Sequence, residues 1–203
     1  ATLRTLAGFG DSLMLVVPSD HEISTVRQFW QSVEAGAAVA REGRLVVFGI
    51  RPMQPETGYG YIEVAADRNG IFDVSRFVEK PDLATAQRYV DAGNFYWNTG
   101  IFLFRASAMR DAFRAYQPAI WEAVEAAFEA ATSDLSGLYM PMELYSAVPS
   151  ISIDYAIMEG AERIAMVPAS FRWNDLGSWQ SLLDIGAADE NGNVIRGDVV
   201  AID

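Results

Sequence analysis

Three continuous apolar runs constrain the fold of this chain most tightly: Leu13-Met14-Leu15-Val16-Val17, Leu45 to Ile50, and Gly100 to Arg105. A strand with one wet face alternates apolar and polar residues, whereas an unbroken apolar run suits a strand covered on both faces. Helical periodicity lies between these runs. From about Thr25 to Arg41, the residues Val26, Phe29, Trp30, Val33, Ala37 and Ala40 share one helical face, and Thr25 with Gln28 has capping-box spacing. Tyr59 to Val64 alternates, and Val74 to Val78 predicts a further short strand. Asp82 is placed to cap a helix through about Ala92, closed by Gly93. Beyond Arg105 two helices are predicted, the second opening at Pro118 and burying Ile120, Trp121, Val124 and Phe128. Ser133 to Ser150 has no clear period and reads as loop with short turns. Ser152 to Glu159 reads as a short helix, Ile164 to Val167 as a strand, Gly177 to Ile185 as a helix, and Gly197 to Asp203 as a strand under way. Strands alternating with helices predict an α/β fold, a three-layer sandwich on a mostly parallel central sheet.

With 203 residues the chain has room for one domain or a large part of a bigger one. Fifteen Lys and Arg stand against 27 Asp and Glu, a net charge of −12, which argues against nonspecific nucleic-acid binding. Any anionic ligand must therefore be met by a few placed cations or by a metal. The absence of cysteine removes disulfides, thiolate catalysis and zinc–thiolate sites together, and fits a cytoplasmic setting. No run approaches a membrane span and no secretory leader is visible. The chain opens at Ala1 and ends within a strand-like pattern, so the expectation is a partial domain, residues 1–203, cut from a longer protein.

Chemistry concentrates in Phe77-Val78-Glu79-Lys80-Pro81, with Gly58-Tyr59-Gly60-Tyr61 upstream and Trp97-Asn98-Thr99-Gly100 downstream. Glu79 can accept hydrogen bonds from sugar hydroxyls, Lys80 can neutralise a phosphate, and Asn98 can donate and accept. Adjacent strand residues point to opposite faces, so pairing between Glu79 and Lys80 themselves is geometrically poor. Gly58 and Gly60 are turn glycines or sites of close backbone approach to a ligand. Asp20 follows a buried strand at the end where open α/β sheets bind ligands, and a carboxylate there can hold Mg²⁺; by position alone a cap or turn role is favoured. Asp175, in Trp173-Asn174-Asp175-Leu176-Gly177, carries the same two readings. His21, the one histidine, reads as structural or supporting rather than as a base, and Asp154 is open between a helix cap and a supporting acid.

In order and spacing, these segments resemble the mannose-1-phosphate guanylyltransferases of the sugar-phosphate nucleotidyltransferase superfamily, including forms fused to a phosphomannose isomerase half. The resemblance also takes in Ser150 to Glu159, Trp173 to Trp179 and Asn191-Gly192-Asn193. It implies a Rossmann-like nucleotidyltransferase fold and the use of GTP and mannose 1-phosphate to give GDP-mannose and pyrophosphate, as in polysaccharide biosynthesis. By position it implies that Asp20 and Asp175 hold Mg²⁺ or another divalent cation and are catalytic with Lys80. Tyr59, Gly60, Glu79 and Asn98 would line the sugar site, with Lys80 on its phosphate. A homo-oligomer is compatible with it. Two departures stand out: no glycine-rich basic loop for the triphosphate precedes Asp20, and Gly160 replaces the lysine that follows Met158-Glu159 in the family. Without that loop these 203 residues alone are expected to be inactive. The alternatives are a related enzyme for another sugar or nucleotide, and a noncatalytic sugar-nucleotide-binding regulatory subunit.

Overall fold

The computed structural model describes residues 1–186, 188–195 and 197–200; the end of the strand expected from Gly197, residues 201–203, lies outside them. Helix α1 (Thr2–Phe9) leads to β1 (Leu13–Val16), and a short β2 (Glu22–Ile23) precedes α2 (Val26–Arg41) and β3 (Leu45–Ile50). Strands β4 (Tyr61–Arg68) and β5 (Ile71–Val78) form a hairpin, followed by α3 (Leu83–Ala92) and the long β6 (Phe95–Arg105). Then come α4 (Ala106–Tyr116), α5 (Pro118–Glu129), a small hairpin of β7 (Thr132–Asp134) and β8 (Gly137–Tyr139), and α6 (Met142–Tyr145). A π-helical turn at Asp154–Met158 precedes β9 (Ile164–Pro168), β10 (Trp173–Asn174) and α7 (Trp179–Ile185).

Six strands form the central sheet in the order β1-β6-β3-β9-β5-β4, with β4 also paired to β6. Period-2 alternation divides two cores across it. Leu45 and Val47 of β3, Phe102 and Phe104 of β6, and Ile164 and Met166 of β9 face a cluster completed by Met109 of α4 and Ile157 of the π turn. Their neighbours Val46, Phe48, Ile101, Leu103, Ala165 and Val167 face the opposite way, against Phe29, Val33 and Ala40 of α2. Both faces are covered, which is why these strands read as continuous apolar runs. The three-layer α/β architecture is thus present.

Several local expectations are corrected. The sheet is mixed rather than mostly parallel: β3–β9 is parallel, and the other described pairings in it are antiparallel. One cause is the β4–β5 hairpin, turned through Asn69 and Gly70 at φ 58° and 86°, the two left-handed positions that a tight hairpin turn needs. Strand β1 is not buried on both faces. It pairs with β6 along one side, and Val16 and Val17 are exposed. In α2 the buried stripe is Phe29, Ser32, Val33, Gly36 and Ala40, while Val26 and Trp30 face outward. The helix approaches the sheet at Gly36, where an added Cβ would lie 3.1 Å from Val46 Cγ1. Thr25 makes no capping bond; its hydroxyl accepts the Arg172 N–H at 2.7 Å instead, tying the start of α2 to the segment just before β10. Asp82 does cap α3, accepting the Thr85 N–H at 2.8 Å, and Gly93 ends that helix in the left-handed conformation. The irregular segment after α5 holds a hairpin and a short helix rather than loop alone, and the expected helix from Ser152 winds as a π turn.

Gly49 sits where the β3–β6 register shifts, and a Cβ there would lie 2.8 Å from both Met166 Sδ and Tyr96 Cβ. Gly49→Ala should therefore destabilise the fold by about 1–3 kcal/mol, the usual cost of overpacking a filled core, as read by the midpoint of chemical denaturation.

Candidate functional site

Strand β6 changes neighbours along one side. Its first residues pair with β4 (Trp97 with Tyr61) and its last with β1 (Phe102 with Val16), while β3 follows its other side. Gly100, at φ 70°, marks the changeover. Between β4 and β1 the sheet opens into a cleft of about 170 Å³ lined by Asn98, Thr99 and Gly100, together with side chains from five other segments. Thr99 is buried and its hydroxyl donates to the Phe48 carbonyl at 2.9 Å, which holds β6 to β3 beneath the opening.

One wall comes from the residues just beyond β5. Glu79 Oε2 lies so close over Gly60 that a Cβ on residue 60 would be 2.5 Å from it, so only glycine leaves room for the carboxylate. The Asn98 N–H donates to the Gly60 carbonyl at 2.8 Å, which ties β6 into this corner. Lys80 Nζ is 3.7 Å from Glu79 Oε1. The pairing judged geometrically poor from strand alternation does form, because both residues lie past the end of β5 and Lys80 takes a left-handed backbone at φ 46°. The side chains differ in exposure: 12% for Glu79 and 60% for Lys80.

The floor carries a residue that sequence reasoning left undecided. Asp154, first in the π turn, accepts from Asn98 Nδ2 at 3.1 Å, and the Asn98 Oδ1 accepts the Gly100 N–H at 3.2 Å. Burial pushes the Asp154 carboxyl above its usual range, opposed by its own backbone N–H and the Asn98 bond. Burial likewise raises Glu79, and the Asp154 charge adds to it. At the far end of the π turn, Glu159 Oε1 accepts the Glu79 N–H at 3.3 Å.

The opposite wall joins distant parts of the chain. β2 and β10 pair antiparallel, Asn174 opposite Glu22 and Trp173 opposite Ile23, so the segments carrying Asp20–His21 and Asp175 run side by side. His21 and Asp175 both line the cleft. Trp173, which the sequence offered only as part of a motif, is the hub of this wall. Its Nε1 donates to His21 Nδ1 at 3.1 Å, leaving the imidazole proton on Nε2, and its ring meets His21 and Tyr59 edge-on at 5.3 and 5.4 Å. The Tyr59 hydroxyl donates to Asp175 Oδ1 at 2.9 Å, and burial with that carboxylate nearby raises its pKa, so it stays a donor. Asp20 does not line the cleft: its side chain is 83% exposed and lies 4.0 Å from His21 Nε2. The structure therefore gathers Tyr59, Gly60, Glu79, Lys80, Asn98 and Asp175 in one cleft, with Asp20 next to it in the chain at His21. Among the described residues, no group of three or more His, Cys, Asp or Glu is arranged to hold a metal ion.

A family model for Nucleotidyl transferase matches residues 1–192. The chain belongs to the nucleotidyl transferase family. It is 47% identical, over its full 203 residues, to a xanthan biosynthesis protein, XanB, of Xanthomonas campestris, and covers 43% of that protein. It is 45% identical over 195 residues to a mannose-1-phosphate guanylyltransferase of Escherichia coli K12, matching 94% of this chain and 41% of that one. A solved structure from Thermus thermophilus, described as a mannose-1-phosphate geranyltransferase, superposes with a TM-score of 0.79 at 34% identity over 90% of this chain and 52% of its own. The chain spans 41–43% of the length of the curated relatives it matches. Among the described residues no helix is long and apolar enough to cross a membrane.

Because burial makes the ionised Glu79 unfavourable in the fold, its folded pKa lies above the ordinary 4.5. Its contribution to stability is then fully present below the unfolded pKa and is lost as pH rises through the folded one. Glu79→Gln, which removes that titration and keeps the shape, should raise Tm at pH 7 relative to the parent, and the gain should shrink as the pH falls toward about 4.5 and be absent below it. Thermal melts of both proteins across pH 4 to 8, on the order of one unit apart, check this; a variant less stable at pH 7 would contradict it.

Proposed function

We propose that the protein is a mannose-1-phosphate guanylyltransferase, which transfers GMP from GTP to mannose 1-phosphate and releases pyrophosphate. One observation carries the reading: Glu79, Lys80 and Asn98 converge with Gly60 in one cleft of a chain that is 45% identical to a relative bearing that name. The cleft's chemistry suits a hydroxylated monoanion or dianion. Glu79 accepts from sugar hydroxyls, Asn98 donates through Nδ2, and Tyr59, Trp97 and Trp173 form an aromatic backing in successive edge-on contacts. Lys80, mostly exposed and on an unusual backbone, reaches the phosphate from the open side.

The reaction needs no general base, because the sugar phosphate is already ionised near neutral pH. Its oxygen attacks the α-phosphorus of GTP in line; that P–O bond forms as the bond to the β-phosphate oxygen breaks, and pyrophosphate leaves. What the protein supplies on the acceptor side is position, through Glu79 and Asn98, and charge, through Lys80. Asp20 and Asp175, flanking segments that pair side by side, are the carboxylates that would hold a hard divalent cation such as Mg²⁺. When bound, that ion neutralises the charge developing on the transferred phosphate. In this reading Tyr59 orients Asp175 by its hydrogen bond and His21 lies beside Asp20.

The test is an assay of pyrophosphate release by the full-length protein with Mg²⁺, crossing GTP, UTP, ATP and dTTP with mannose and glucose 1-phosphates. GTP with mannose 1-phosphate should be turned over fastest; preference for another pair would replace the reading by that pair. In the same assay Glu79→Gln should raise KM for mannose 1-phosphate by roughly tenfold or more, since a hydrogen bond to a charged group is lost, and change KM for GTP by less than about twofold. An equal loss for both substrates would count against a sugar-binding role for Glu79.

A further inference from the structure

Asn98 brings an amide to the cleft, and an amide can present either end. Turning its last torsion by half a revolution exchanges a two-hydrogen donor for an acceptor. Here both ends are tied. Nδ2 donates to Asp154 Oδ1, 56 residues further along the chain, and Oδ1 accepts the Gly100 N–H. A carboxylate offers acceptors alone and a backbone N–H donates alone, so one orientation satisfies both partners and the flipped one satisfies neither.

The origin of Asp154 fits such a task. The turn Asp154–Met158 is closed by the Glu159 N–H on the Asp154 carbonyl at 3.0 Å, a bond spanning five residues instead of four. Winding of this kind brings Asp154 and Glu159 to the same side while Ala156, Ile157 and Met158 stay in the core. The turn therefore grips the cleft twice, through Asp154 on the Asn98 side chain and through Glu159 on the Glu79 backbone. An isolated π turn is an uncommon winding, and its recurrence at working sites of proteins is a general tendency.

We propose that Asp154 is a positioning residue of the sugar-phosphate site: it holds the Asn98 amide so that the second Nδ2 hydrogen, which Asp154 does not take, donates to a sugar hydroxyl. Asp154 itself does not touch the substrate. This inference rests on the sugar-phosphate reading of the cleft, and it deepens that reading by naming what sets the donor.

Two measurements test it. In the ligand-free protein, the Asn98 side-chain NH₂ should give separate NMR signals with one proton slowed in exchange, and Asp154→Asn should reduce that protection. The isosteric variant keeps the volume of the site, but its own NH₂ can serve the flipped amide as well. In titrations with mannose 1-phosphate, Asp154→Asn and Asp154→Ala should weaken binding by roughly tenfold, the loss of about one hydrogen bond's worth of alignment. The double variant Asn98→Ala/Asp154→Ala should bind no worse than Asn98→Ala alone, within about twofold, because Asp154 acts through Asn98. In the full-length protein GTP affinity should be unchanged in Asp154→Asn, which separates positioning from general damage to the fold. Losses that multiply in the double variant, or wild-type binding and unchanged Asn98 exchange in Asp154→Asn, would overturn the proposal. A parent protein that binds a different sugar phosphate instead would overturn the mannose reading; the same double-variant cycle with that ligand then decides the role of Asp154.

Discussion

Strand β6 cannot serve two neighbours at one place, and the site depends on that constraint. Along one side, its ladder passes from β4 at Trp97 to β1 at Phe102, leaving the stretch between them without a neighbouring strand on that side. Backbone left open in this way must find partners among loops, side chains or ligand. Here the Asn98 N–H goes to Gly60, the Gly100 N–H to the Asn98 side chain, and the Ile101 N–H to the Thr99 hydroxyl. Those bonds turn a gap in a sheet into a shaped pocket. The left-handed Gly100 also lets the loop before β2 lie close above, with Pro18 3.4 Å and His21 3.8 Å from where a Cβ would be. The strand core, packed on both faces, thus fixes the geometry of a cleft at its seam.

Charge within that cleft is set by burial against few cations. Glu79 and Asp154 are both drawn out of water, and Lys80 is the cation beside them. A protein with a net charge of −12 has no general attraction for an anion, so on the proposed function local placement must supply it. Two glycines make the placement possible in the same way. Glu79 lies over Gly60, and Asp175 lies over Gly177, where a Cβ would meet Oδ2 at 2.6 Å. Side chains at either position would displace a carboxylate from the cleft, which ties these glycines to the site's electrostatics rather than to turn conformation: both have φ outside the left-handed region.

The layers, the buried strands and most helices were legible because their signals are local: apolar runs, a 3.6-residue period, Asp82 as a cap and Gly93 as a stop. Sheet direction was not legible from the alternation of strands and helices, although Asn69-Gly70 carried the hairpin signal that would have reversed one pair. Glu79, Lys80, Asn98 and Gly60 were recognisable as a group, since they cluster in sequence around two strand ends. The Glu79–Lys80 contact was misjudged because strand alternation was extended past the end of β5, into a left-handed residue that no pattern announced. Asp154 and Trp173 were hidden for another reason. Their roles consist of contacts to Asn98, and to His21 and Tyr59, separated by many residues, and nothing in the spacing of either segment encodes such a partner.

The two walls of the cleft are held with unequal firmness, and this bears on how they work. The Glu79–Asn98 wall stands on the ends of long core strands and on a π turn whose Ala156, Ile157 and Met158 are packed in the core. The His21–Asp175 wall hangs on a two-residue ladder between β2 and β10, closed by the Trp173 ring and the Tyr59 hydroxyl. A short ladder with few buried contacts opens at far smaller free-energy cost than a core strand. A sugar that must be read by hydroxyl position calls for the rigid wall, where small displacements would lose the hydrogen bonds. On the proposed function, carboxylates that would meet a cation together with a large, charged nucleotide are better carried on the wall that yields more readily.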